Sequence, residues 1–194
     1  EFVGFREKTL TKRIRFDLKK AQEKAHLLLG ISVAVENIDK IICTVPPIIA
    51  SNLTFHKPRT AKEAQFSLEF SIALMLKYRD IKLEHLSSEY ILDPDIRNLI
   101  NKVSMNVSKL PKRIKPTRKI CPEWSNVELF TKNGESHEKF VGAPLGSSID
   151  PLPRNMLYKK FNSCVEFSNI KFETKSMYEK LINIEKLKNC QELL

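Results

Sequence analysis

The stretch "SNVELFTKNGESHEKFV", Ser125–Val141, commits this chain to an antiparallel sheet. Val127, Leu129 and Thr131 alternate with polar residues, the two-residue period of a strand with one buried face. Asn133-Gly134 follows, the pair favoured in a type I′ turn, and a return strand runs to about Val141. An isolated hairpin is marginal in water, so more strands or a helix must cover its apolar face.

The rest of the sequence supplies both. "NIDKIICTV", Asn37–Val45, ends in a β-branched run and reads as a strand, closed by Pro46-Pro47 because proline has no ladder donor. "KRIRFDL", Lys12–Leu18, alternates charged and apolar residues and reads as a short strand. Ala21, Ala25, Leu28 and Leu29 recur at helical spacing and predict a helix over Lys19–Val35. Thr60, with Glu63 three residues on, predicts a capped helix from Ala61 to about Lys77. "LEHLSSEYIL" reads as a short helix or turn. Asp93 as cap and Pro94 at the first helical position predict a helix to Val103, with Ile96, Leu99, Ile100 and Val103 as its apolar face. After the loop "GAPLGSSIDPLP", two helices are predicted. Arg154–Val165 buries Met156, Leu157, Phe161 and Cys164, and Thr174–Asn183 uses Met177, Leu181 and Ile182. Helices and strands do not alternate as in a doubly wound sheet. The fold class is therefore α+β: a small, mostly antiparallel sheet packed with helices, plus C-terminal helices. Residues 1–18 read as a linker or strand remnant and 19–194 as the domain.

Net charge is +10 and the sequence pI about 9.4. That draws anions, whether phosphates or carboxylates. The densest basic run, "KLPKRIKPTRK" (Lys109–Lys119), holds two prolines and no aromatic residue for base stacking. It therefore reads as a solvated linker, and a nucleic-acid partner is disfavoured. Cys43, Cys121, Cys164 and Cys190 form no C-x-x-C pair, and the four histidines have no i,i+4 spacing, so no metal site is expected. No apolar run is long enough to span a bilayer, and the N-terminus lacks a secretory signal. A cytoplasmic protein with reduced thiols and no membrane partner is the expectation.

Within "KEAQFSLEFSIALM", Lys62–Met75, Glu69 is wedged between Leu68 and Phe70. A lone buried carboxylate is costly, so Glu69 is expected to pair with a basic residue. With the preceding "HKPRTA", this stretch resembles the MmgE/PrpD family, which includes 2-methylcitrate dehydratase and cis-aconitate decarboxylase. The family pattern is a proline, a few residues, then E-A-x-F-S-x-x-Y and an apolar helix. Here it falls on Pro58, Glu63-Ala64, Phe66-Ser67 and Phe70. "DPDIRNLINKV", "VELFTKNGESHEKFV", "GAPLGSSIDPLPRNMLYKKF" and "YEKLINIEKLKNCQELL" resemble later family segments in order, over roughly residues 26–194.

The resemblance implies the C-terminal lid of a two-domain enzyme, without the family's N-terminal helical domain. It implies a homodimer, no cofactor, and a lyase, hydro-lyase or decarboxylase, on a tricarboxylate. The isolated lid would be inactive unless the helical domain is supplied in trans. In "DLKKAQEKAHLLLG" it places a catalytic lysine at Lys20, with Lys19 as the alternative, and a histidine at His26. Gln65, Ser67 and Phe70 would face the substrate. Phe70 stands where the family carries tyrosine, and a phenyl ring has no hydroxyl to donate. A binding remnant with a basic surface for an anionic partner is the alternative reading.

Overall fold

The computed structural model describes residues 35–189 and Gln191. The strand expected at Lys12–Leu18 and the helix expected over Lys19–Val35, apart from Val35 itself, lie outside these residues. Among the described residues, four strands form one mixed sheet: β1 (Ile38–Val45), β2 (Val103–Val107), β3 (Ser125–Thr131) and β4 (Ser136–Val141), in the order β2-β1-β3-β4. Two of the three pairings are antiparallel, and β1 runs parallel to β2. The fold is α+β.

Register explains which residues are buried. Ile41 lies opposite Val103 on one side and Leu129 on the other, and Cys43 lies opposite Met105 and Val127. Side chains two apart share a face, so Ile41, Cys43 and Val45 look the same way, and all three are buried. Helices α1 (Pro47–Asn52), α2 (Ala61–Gln65), α3 (Leu68–Tyr78), α4 (Ser88–Ile91) and α5 (Pro94–Lys102) fill the connection from β1 to β2. Ile72 and Leu76 of α3 pack on Ile38, Ile41 and Val103 of the sheet. The opposite side of α3 joins α5 in a larger cluster around Phe70, Leu74, Ile96 and Ile100. Asp93 caps α5 by accepting from the Asp95 and Ile96 amides, and Ile96, Leu99, Ile100 and Val103 are buried as the spacing predicts.

The hairpin forms where the alternation places it, but its turn is different. The Gly134 amide donates to the Thr131 carbonyl and the Thr131 amide to the Glu135 carbonyl, which leaves three residues in the loop. Among the described non-glycine residues only Arg79 and Asn169 have positive φ, so Asn133 does not adopt a type I′ conformation. Gly134, at φ 86°, takes the left-handed position of a three-residue loop.

The helix expected from Ala61 to Lys77 breaks at Phe66. Ser67 is extended (φ −118°, ψ 115°), and its hydroxyl accepts the Phe70 amide at 3.2 Å, starting α3 afresh. Serine competes with helix continuation in this way because its short side chain satisfies an orphan amide. Ser67→Ala is expected to lower the unfolding free energy by about 1 kcal/mol, a typical N-cap loss, read from the urea midpoint.

The two C-terminal helices, α6 (Arg154–Ser168) and α7 (Thr174–Leu181), differ from expectation in what they bury. No residue of α6 is buried, and Met156, Leu157 and Cys164 are exposed. This helix packs mainly against α7 and the turn at Leu83–Leu86. The helix pair is held instead by aromatic rings. Tyr178 sits 4.9 Å from Tyr158 and 5.6 Å from Phe161, and its hydroxyl donates to the Arg154 carbonyl at 3.2 Å. Tyr178 is the buried residue of α7, while Leu181 is exposed.

Candidate functional site

A cleft of about 740 Å3 lies between the α2–α3 elbow, the segment from Asp80 to Leu86, and α6. Gln65, the last residue of α2, stands on its wall, and Phe70 contributes to its floor. Leu74, Leu86 and Met156 make the floor apolar. Lys82, Lys159 and Lys160 bring three cations to it, against the carboxylates of Asp80 and Glu166. Glu166 accepts from Asn162 at 2.6 Å, and Lys82 lies 3.3 Å from Glu84 in an exposed pair.

The remaining predicted positions fall elsewhere. Ser67 is 1% exposed and spends its hydroxyl on the α3 cap, so it does not line the cleft. Lys20, its alternative Lys19, and His26 lie outside the described residues. The sequence does not single out Lys82, Lys159 and Lys160. Among 33 lysines and arginines, nothing local marks these three. No group of three metal-ligating side chains occurs among the described residues.

His85 braces the cleft wall. It is 3% exposed, stacked 4.9 Å from the Tyr78 ring and 4.8 Å from Tyr90. Its Nδ1 accepts the Lys82 amide at 3.2 Å, which holds the turn at Leu83–Leu86 closed. Desolvation pushes its pKa below the usual histidine value; the Lys82 charge adds to this, and Glu84 and Asp80 oppose it. A histidine with a lowered folded pKa binds fewer protons folded than unfolded. Its contribution is complete above the unfolded pKa of about 6.5 and is lost as pH falls below that value. Wild-type stability is therefore expected to fall between pH 7 and pH 5 more steeply than that of His85→Gln, which keeps an acceptor but does not titrate. Parallel slopes in urea unfolding at the two pH values would contradict this.

Beside the cleft, the loop from Leu53 to Arg59 is fastened at three points between its two ends. The Phe55 amide donates to the Phe66 carbonyl at 3.3 Å, and Arg97 Nη1 donates to the Pro58 carbonyl at 2.8 Å. The third point is His56, whose Nδ1 lies 2.7 Å from Glu69 Oε1. Glu69 thus has the basic partner its burial demands. Its side chain is 4% exposed, whereas that of His56 is 59% exposed. Glu69 Oε2 is buried without a hydrogen-bond partner among the described residues. The charge of Glu69 also reaches Cys43 on β1. Burial first, and Glu69 second, push the Cys43 thiol up to about 11.

These features define an α+β domain with a mixed four-stranded sheet and a cleft carrying lysines above an apolar floor. The model of the MmgE/PrpD C-terminal domain matches residues 19–180, and the chain belongs to that family. The chain also resembles the A subunit of DNA gyrase over shorter spans. It is 35% identical over 140 residues to that of Leptospira biflexa serovar Patoc, covering 71% of this chain and 16% of the relative. It is 56% identical over 41 residues to that of Rickettsia bellii, covering 21% of this chain and 4% of the relative. The chain thus spans 16% or less of the length of these two curated relatives. No described helix is long and apolar enough to cross a membrane.

Proposed function

We propose that this chain is the lid of an MmgE/PrpD-type lyase, a hydro-lyase or decarboxylase acting on a tricarboxylate such as 2-methylcitrate or cis-aconitate. The family match over residues 19–180 carries this reading. The cleft supports it: Lys82, Lys159 and Lys160 offer cations for carboxylates, and Gln65 adds an amide. Such a reaction needs cations on the carboxylates and a proton carrier beside a stabilised carbanion. Lys20 and His26 are the family-implied candidates for the proton work, and the chain works as a homodimer in the cytoplasm without a cofactor. The lid alone is inactive and needs a helical domain to complete the site. The experiment is to add the helical domain of a family member in trans and measure turnover of 2-methylcitrate and cis-aconitate. Turnover with the mixture and none with either part supports the reading; no turnover with any such partner sinks its catalytic part.

A second reading is a binding module for an anionic partner. The basic run Lys109–Lys119 favours it, as does Phe70, a buried ring with no hydroxyl. The partial likeness to the DNA gyrase A protein, which is named for DNA, leans toward a nucleic acid as that partner. This reading predicts retention on DNA that falls steeply with salt, and retention indifferent to salt counts against it.

A further inference from the structure

We propose that His56 and Glu69 form a carboxylate–imidazole dyad, with His56 Nε2 as a nucleophile and general base toward carbonyl substrates. Two nitrogens of one ring face two different environments. Nδ1 is tied to a carboxylate oxygen at 2.7 Å, on a side chain 4% exposed. A carboxylate only accepts, so neutral His56 carries its proton on Nδ1 and keeps the Nε2 lone pair free. The histidine side chain is 59% exposed, and no described residue partners Nε2.

Glu69 is placed to hold the ring. It sits in the first turn of α3, where the helix dipole favours its negative charge. Ser67 sets that turn, and Pro58, fully buried and held by Arg97, fixes the loop that carries His56. The free oxygen of Glu69, Oε2, is buried with no partner, so the His56 bond is the carboxylate's only hydrogen bond among the described residues. That makes it a positioning residue of the kind that orients a catalytic imidazole and stabilises its charged form. Within the proposed lyase the dyad would be a proton carrier on the lid. That role rests on the lyase reading, whereas the dyad's own chemistry can be tested on this chain alone.

The probe is p-nitrophenyl acetate. Nε2 attacks the ester carbonyl, and the C–O bond breaks with its electron pair on p-nitrophenolate. The acetyl group stays on Nε2 of an imidazolium whose Nδ1–H remains on Glu69. Water then attacks the acetyl carbon, the C–Nε2 bond breaks with its electron pair on Nε2, acetate and two protons leave, and neutral His56 returns. Thiols also react with this ester, so the full chain is used with Cys121, Cys164 and Cys190 replaced by serine, while Cys43 is buried. His56→Gln, at an exposed position, is expected to remove at least nine-tenths of the hydrolysis. Glu69→Gln, which keeps an acceptor without the charge, is expected to lower it about tenfold. Full hydrolysis in His56→Gln overturns the proposal. Loss in His56→Gln with none in folded Glu69→Gln also overturns it, since His56 would then act without its carboxylate. Activity of the dyad without lyase turnover in trans would leave this inference standing and the lyase reading fallen.

Discussion

Phe70→Ala is expected to lower the free energy of unfolding by about 3–5 kcal/mol, enough to leave a marginal domain largely unfolded at room temperature. The ring is 1% exposed and belongs to the cluster with Leu74, Ile96 and Ile100, where α3 meets α5. Truncation removes its transfer free energy and leaves a cavity that the packed helices around it cannot close. A shift in the urea midpoint at unchanged slope is the expected signature. A loss below about 1 kcal/mol would mean that α3 and α5 collapse onto the gap, contrary to the packing described. The result also bears on function, because the same ring forms part of the cleft floor. A stability defect of this size has to be measured before any loss of binding in a Phe70 variant is ascribed to contact with a ligand.

Trp124→Ala is expected to cost a similar amount, about 3–5 kcal/mol, and to loosen a different region. Trp124 is buried just before β3, and its ring stacks on Phe140 of β4 with centroids 5.8 Å apart. Its amide donates to the Cys121 carbonyl, and the Cys121 amide donates to the Gly142 carbonyl at 2.7 Å. Arg113 bonds Glu138 and Asn126, pinning the basic run to the hairpin. Gly142 suits the close approach, since a Cβ there would lie 3.3 Å from the Lys119 carbonyl oxygen, tighter than an ordinary contact. Tryptic cleavage within Lys109–Lys119 should therefore become faster in Trp124→Ala under conditions where wild type is spared. Equal cleavage rates would show that the run is loose already and that Trp124 serves only the core.

Much of this architecture can be read from the sequence because the signals are local. Thr60 and Asp93 cap helices as their side chains dictate, and alternation around Val127 locates the hairpin. The family pattern at Pro58 to Phe70 is equally local, and the match over residues 19–180 bears it out. The turn at Asn133-Gly134 departs from expectation because dipeptide preference does not fix loop length, which follows from register with β3. The exposure of α6 departs from it because periodicity reports an apolar stripe, not what covers it. The site is less legible still. Gln65 and Phe70 line one cleft, but Lys159 and Lys160 join them only through the packing of α6. His56 and Glu69 are 13 residues apart with a loop, a proline and a short helix between them. Only burial of Glu69 demands a partner, and nothing in the sequence names which.

The sheet also sets the order in which this chain has to assemble. Its central strand, β1, bonds β2 across a separation of about sixty residues, as between Ile41 and Ser104 (63 apart). Contacts this distant in sequence form slowly, since the loop entropy is lost before they reward it. The β3–β4 hairpin needs only its own turn and closes early, which leaves the β3 edge open until β1 docks. During that interval β3 is a template for another chain. β3 carries Val127 and Leu129 and one charged residue, Glu128, whereas β4 beside it presents Glu138 and Lys139. Aggregation during refolding should therefore follow protein concentration and begin at β3, with slow docking of β1 as the step that ends the exposure.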